Sequence, residues 1–160
     1  MPKIDFVFDR DYSDVEEAIR LKERIRSDGY NSLTDEEKTL WDNGLKACRN
    51  ASDLNRIGYA CSVIAGLLEI PMTVKTDWTK TDIPTSSDIR FILDNVQTLK
   101  NSVSAYTTDI PNVPSNPINT IKKMNDVEKI LYKVYTVINI ILTDMCVCGE
   151  TYICEDNRLI

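Results

Sequence analysis

Ser87-Asp88-Ile89-Arg90-Phe91-Ile92 sets out a pattern that the chain repeats: a small polar residue, Asp, an aliphatic residue, two variable residues and Ile. Ser52-Asp53-Leu54-Asn55-Arg56-Ile57 precedes it, and Asn125-Asp126-Val127-Glu128-Lys129-Ile130 follows. Three, four and seven residues beyond each Ile stand Ala60, Cys61 and Ile64, then Asn95, Val96 and Leu99, then Lys133, Val134 and Val137. Apolar residues therefore recur at helical spacing in all three copies. Ser13-Asp14-Val15 with Ala18 and Ile25 is a weaker fourth copy, and the four Asp residues lie 39, 35 and 38 positions apart. A period of that length marks one supersecondary unit used again. The small polar residue is placed to cap a helix, with Asp14, Asp53, Asp88 or Asp126 in the first turn, where the helix dipole favours an anion. Ile57, Ile92 and Ile130 then begin the buried stripe.

Outward from these units, the spacing predicts a helix from Ser13 to the stop at Gly29, with Ser13 and Glu16 as its capping box. Thr34 and Glu37 cap a second helix carrying Leu40, Trp41, Leu45 and Cys48, ending near Asn50. A third, over residues 52–70, is closed by Pro71 and holds Gly58 and Gly66, which weaken it or admit a close neighbour. The fourth covers residues 87–106 and the fifth residues 125–143, the latter with Glu128 as capping partner. The fifth is apolar around more than one stripe, which calls for a central position or a partner over Ile140 and Ile141. Residues 4–8 read as a short strand or extended arm, and residues 145–160, with Gly149 as a turn, as a hairpin or docking strand presenting Tyr152 and Cys154 on one face. The expected fold is a mostly α bundle of about five helices built on the repeat, with short β segments at both ends. It divides into a helical domain over residues 1–143 and a tail over residues 144–160. Residues 71–86, with Trp78 as a plug, and the stretch holding Pro111, Pro114 and Pro117 are expected to be extended. About seventeen extended residues reach about 50 Å, more than a helix of similar count, so each connection can return to its helix's starting end and either let the helices pack in parallel, the expected arrangement, or clasp a partner.

A chain of 160 residues supports one compact core without staples. His is absent, which removes the usual neutral-pH base. The net charge of −6, with Lys and Arg scattered, argues against a nucleic-acid partner, and the lack of a long apolar run against a membrane span. Phe6-Val7-Phe8-Asp9-Arg10-Asp11 mimics the nucleophile strand of haloacid-dehalogenase phosphotransferases, but no alternation of strands and helices follows. Asp9, Asp11 and Ser13 match the start of a calcium loop, yet its sixth and twelfth positions hold Asp14 and Arg20. Cys146, Cys148 and Cys154 fall short of a four-ligand zinc set; a hairpin would allow a Cys148–Cys154 disulfide, and free thiols are the default. No metal or cofactor is expected.

Phe8-Asp9-Arg10 with Ser13-Asp14-Val15, Trp41 with Leu45-Lys46, the 52–57 unit, Asp77-Trp78 with Asp82-Ile83-Pro84, and Gly149-Glu150 together resemble small proteins encoded in the tail modules of phages and prophages of Firmicutes. Gly58 stands where such units more usually carry Glu. The resemblance implies a non-enzymatic virion protein of the tail tip, baseplate or tail-fibre attachment, made in the host bacterial cytoplasm. Its partners would be other tail or baseplate proteins, in a homo-oligomer or permanent complex. The alternative is a module binding host-surface polysaccharide through Trp78, Tyr106 and the Thr and Asp residues of the long connections.

Overall fold

The computed structural model describes residues 2–155, with side chains described for residues 2–143. It is mostly helical: α1 Tyr12–Asp28, α2 Asp35–Asn43, α3 Ala51–Leu67, α4 Ser86–Ser102 and α5 Ile121–Glu155, with a 3-10 turn at Tyr30–Ser32. Among the described residues there is no strand.

Three helices begin in one way, and their caps lie two residues earlier than the repeat predicts. Asp14, Asp53 and Asp88 are each the third residue of a helix, and each carboxylate accepts from the backbone N–H of the residue before the helix: Asp11 at 2.9 Å, Asn50 at 3.1 Å and Thr85 at 2.8 Å. Ser13, Ser52 and Ser87 are second helical residues, not caps. The fourth copy departs further. α5 is capped by the Thr120 hydroxyl, which accepts from Lys123 N at 3.2 Å, so Asp126 lies beyond the first turn. α2 starts at the expected Thr34–Glu37 capping box but stops at Asn43, because Gly44 turns the chain at φ 96°. Leu45 and Cys48 therefore follow the helix, and Leu40 and Ile19 face outward.

Hydrogen bonds to the Thr85 hydroxyl and backbone hold the Asp88 carboxyl below the usual aspartate range. A carboxyl lowered in the folded state adds stability above its unfolded value, and that contribution is lost as pH falls through the folded value. Asp88→Asn is expected to flatten part of the fall in urea midpoint between about pH 5 and 2. An acid limb identical to that of the unaltered chain would contradict this role.

The connections set the topology. After α3 the chain runs back down that helix: Ile70 N donates to Ala65 O, Lys75 O lies against Gly58, and Trp78 exchanges backbone bonds with the Asn55 side chain at 2.7 and 2.9 Å. α4 thus starts beside the start of α3 and runs parallel to it, and its mid-helix Asn95 donates to Thr73 O of the same strap at 2.9 Å. The second connection also returns, with Asn112 bonded to Lys100 near the end of α4 and Asn116 to Ser86 O at its first residue. α5 is the third parallel helix. Leu54, Ile57, Cys61 and Ile64 of α3, Ile89, Leu93, Val96 and Leu99 of α4, and Val127, Leu131, Val134 and Ile138 of α5 make one core. α1 and α2 enclose a second, small core of Leu21, Leu33 and Leu45.

Of the two readings of the N-terminal segment, strand or extended arm, the arm holds, and the C-terminal segment is helix through Glu155 where a β segment was expected. Residues 2–10 form an arm that runs antiparallel along the outer stripe of α5, with Pro2 O accepting from the Tyr135 hydroxyl and Phe6 at 5.8 Å from the Tyr132 ring. The arm's polar groups turn to side chains, Val7 N donating to Glu128 at 2.6 Å, so no partner strand is needed. At the other end α5 continues through residue 144 to Glu155, across the boundary drawn there for a separate tail. Gly149 alone costs a helix about 1 kcal/mol and does not end it. Six residues along a helix rise about 9 Å, too far for a Cys148–Cys154 bridge. The side chains of Cys146, Cys148, Tyr152 and Cys154 lie outside the described residues.

Candidate functional site

Where the arm crosses α3 and α5, four charged side chains meet away from water. Arg10 and Glu128 are 4% and 1% exposed, Asp53 is buried, and Arg56 closes the outer side. Helical periodicity brings Asp53 and Arg56 to one face of α3, and the arm's bonds to Asn125 place Arg10 above them: Arg10 N donates to Asn125 Oδ1 at 3.3 Å, and Asn125 Nδ2 to Arg10 O at 2.8 Å. Arg10 spends its guanidinium donors on Lys46 O, Val7 O, Asn125 Oδ1, Asp53 Oδ1 at 2.9 Å and Glu128 Oε1 at 3.0 Å. Arg56 grips Glu128 with two parallel bonds of 2.9 and 2.7 Å, and its Nη2 also meets Asp53. Burial works against charge on Arg56, but the bonds and charge of Glu128 and Asp53 outweigh it and hold its pKa above the ordinary value.

The cluster is electrically balanced and internally saturated. Glu128 Oε1 accepts from both arginines and Oε2 from Arg56 and Val7 N; Asp53 Oδ1 accepts from both arginines and Oδ2 from Asn50 N. Every carboxylate oxygen of the pair is engaged, by two donors or by a backbone N–H. The arrangement clamps the arm, the turn after α2, α3 and α5 together. Sequence reading quoted Arg10, Asp53 and Arg56 within separate motifs and gave Glu128 a capping role. The one local signal for the cluster is a Glu inside the most apolar helix.

The residues proposed from sequence as contact points lie apart. Trp78 is 8% exposed and plugged beneath the first strap, with Lys75 Nζ 4.0 Å over its ring. Its indole N–H is, among the described residues, the one buried side-chain polar atom without a partner. Tyr106, 66% exposed, follows α4 at the far end of the bundle. Ile140 is 56% exposed, while Ile141 is half-buried. Of the repeat positions, Ile57 and Ile130 are buried and Ile92 partly so. Asp9 pairs with Lys46 at 3.2 Å and Asp11 is the N-cap of α1, so the two carboxylates of the Asp9-Arg10-Asp11 run hold structure.

An open cleft of about 740 Å³ lies between α1, the turn after α2 and the start of α5. Val15, Ile19, Trp41, Leu45, Ile118 and Ile121 give it an apolar wall, with Lys22 and Arg49 as its cations. Cys48 opens onto it, its thiol pushed up by burial and by nearby Asp53. Buried Cys61 is pushed up to about 12 by burial. Among the described residues no group of acidic, Cys or His side chains is placed to hold a metal ion, and no helix is long and apolar enough to cross a membrane.

No family model, curated protein or solved structure matches the chain.

Proposed function

We propose that this chain is a non-enzymatic structural component that works through protein–protein contacts, in the setting its sequence resembles: a phage tail tip, baseplate or tail-fibre attachment. The observation that carries the reading is the closed charge cluster. The two carboxylates most removed from water are saturated by Arg10, Arg56 and backbone donors, so they lock the arm onto the bundle and serve structure. The large cleft, in turn, is lined by apolar side chains and two cations without a carboxylate. What remains to act is surface, and exposed apolar residues on α5 provide it.

Polysaccharide recognition is the weaker reading, because Trp78 is covered and the exposed Tyr106 stands apart from it, so the two aromatics offer no shared sugar platform. Mass spectrometry of purified particles from a phage encoding the chain is expected to find it at a fixed ratio to other tail proteins. Particles that lack it would overturn the assignment to the virion.

A further inference from the structure

α5 is about twice as long as the helices it packs against, 35 residues against 17 and 17. Glu128 stands level with Asp53 and Arg56, so the end of α3 at Leu67 falls near residue 142 of α5. Beyond that point about a dozen residues, roughly 20 Å of helix, run past the bundle.

The apolar seam of α5 does not stop where the bundle stops. Val127, Leu131, Val134 and Ile138 alternate by four and three residues and are all buried against α3 and α4. The same alternation continues in sequence through Ile141, Met145, Cys148 and Tyr152. In heptad terms Leu131, Ile138, Met145 and Tyr152 hold position a, and Val127, Val134, Ile141 and Cys148 position d. The burial of the first half sets the phase in which the rest of the sequence is counted. At the point of exit Ile140 and Leu142 are exposed.

We infer that this overhang forms a parallel coiled coil with the same segment of a second copy of the chain. A helix of about a dozen residues alone in water is marginal, and a seam with a and d apolar is completed by another helix carrying the same seam. Foreign partners are selected by charges at the flanking e and g positions. From residue 137 to 151 those positions hold Val137, Leu142, Asp144, Gly149 and Thr151, a single charge. In a parallel pair g meets the partner's following e, which sets Val137 against Leu142 and Asp144 against Gly149 with no like charges opposed.

The test is light scattering of the full chain under reducing conditions at tens of micromolar, where the expected mass is at least twice 18.2 kDa. Met145→Glu and, independently, Cys148→Asp are expected to return it to 18.2 kDa with the near-ultraviolet spectrum of the bundle retained, whereas Thr143→Glu, on the outer face, leaves the oligomer intact. Oxidation of a variant keeping Cys148 as its sole C-terminal cysteine is expected to join two chains, since d faces d in a parallel pair. A natural chain that stays at 18.2 kDa, an oligomer that survives both seam variants, or one that Cys148 does not join overturns the inference. Loss of the oligomer leaves the virion assignment standing, because particle composition is measured separately; absence from particles leaves the oligomer standing.

Discussion

Glu128→Ala is expected to cost about 3–5 kcal/mol, the usual penalty for breaking a buried, hydrogen-bonded ion pair by removing one partner. The loss would be large against the roughly 5–15 kcal/mol by which a domain is stable. Arg10 and Arg56 would be left facing Asp53 alone, and Val7 N would lose its acceptor. Urea unfolding should show a lower midpoint with little change in slope. The physical signature goes beyond stability: the arm is held at Val7 and Arg10 by this cluster, so limited proteolysis at Arg10 should accelerate before the helices open. A shift below about 1 kcal/mol, with Arg10 still protected, would mean the cluster is an ornament on a fold held by its apolar core.

Gly58→Ala is the second large effect, and its sign opposes helix propensity. Replacing Gly by Ala inside a helix ordinarily gains about 1 kcal/mol. Here a Cβ at position 58 would lie 2.3 Å from Lys75 O and 3.2 Å from the Thr76 methyl. Neither is the free end of a long side chain, so the strap itself must move, and the Trp78 plug and its Asn55 bonds lie three residues further on. Overpacking of this kind costs about 1–3 kcal/mol. A net loss of about 1 kcal/mol is expected in urea unfolding, against a small gain for Gly66→Ala, where nothing lies within 4 Å of the added atom. Equal effects at the two glycines would contradict the close passage of the strap.

The helices were legible because their starts are chemical. Thr34 with Glu37, and Asp14, Asp53 and Asp88, mark four of the starts without tertiary help, whereas α5 begins at Thr120, ahead of Asp126. The phase was misplaced by two residues because Ser13, Ser52 and Ser87 are as good as caps in isolation, while the operative caps are Asp11, Asn50 and Thr85 three positions before each Asp. Parallel packing was legible from connection length against helix length. The C-terminal segment reads with period two, since Cys146, Cys148, Tyr152 and Cys154 alternate; Cys148 and Tyr152, with Met145, also fit the four-three period that α5 establishes from Val127 onward, and a helix already under way continues. The charge cluster lay beyond reach because its members stand 43, 72 and 118 positions apart. Only the fold makes them neighbours, and only the arm's path along α5 explains why so apolar a helix needs a second covering stripe.

The central claim is that α3, α4 and α5 run the same way, with straps returning along them. Distances between spin labels on exposed helix-end residues test it most directly, with the native exposed cysteines replaced by Ser. Labels at Ser52 and Ser87, both at helix starts, are expected to lie close together, and labels at Ser52 and Ser102 about 25 Å apart, near the length of a 17-residue helix. The reverse order, Ser52 near Ser102 and far from Ser87, would show an antiparallel pair and contradict the account.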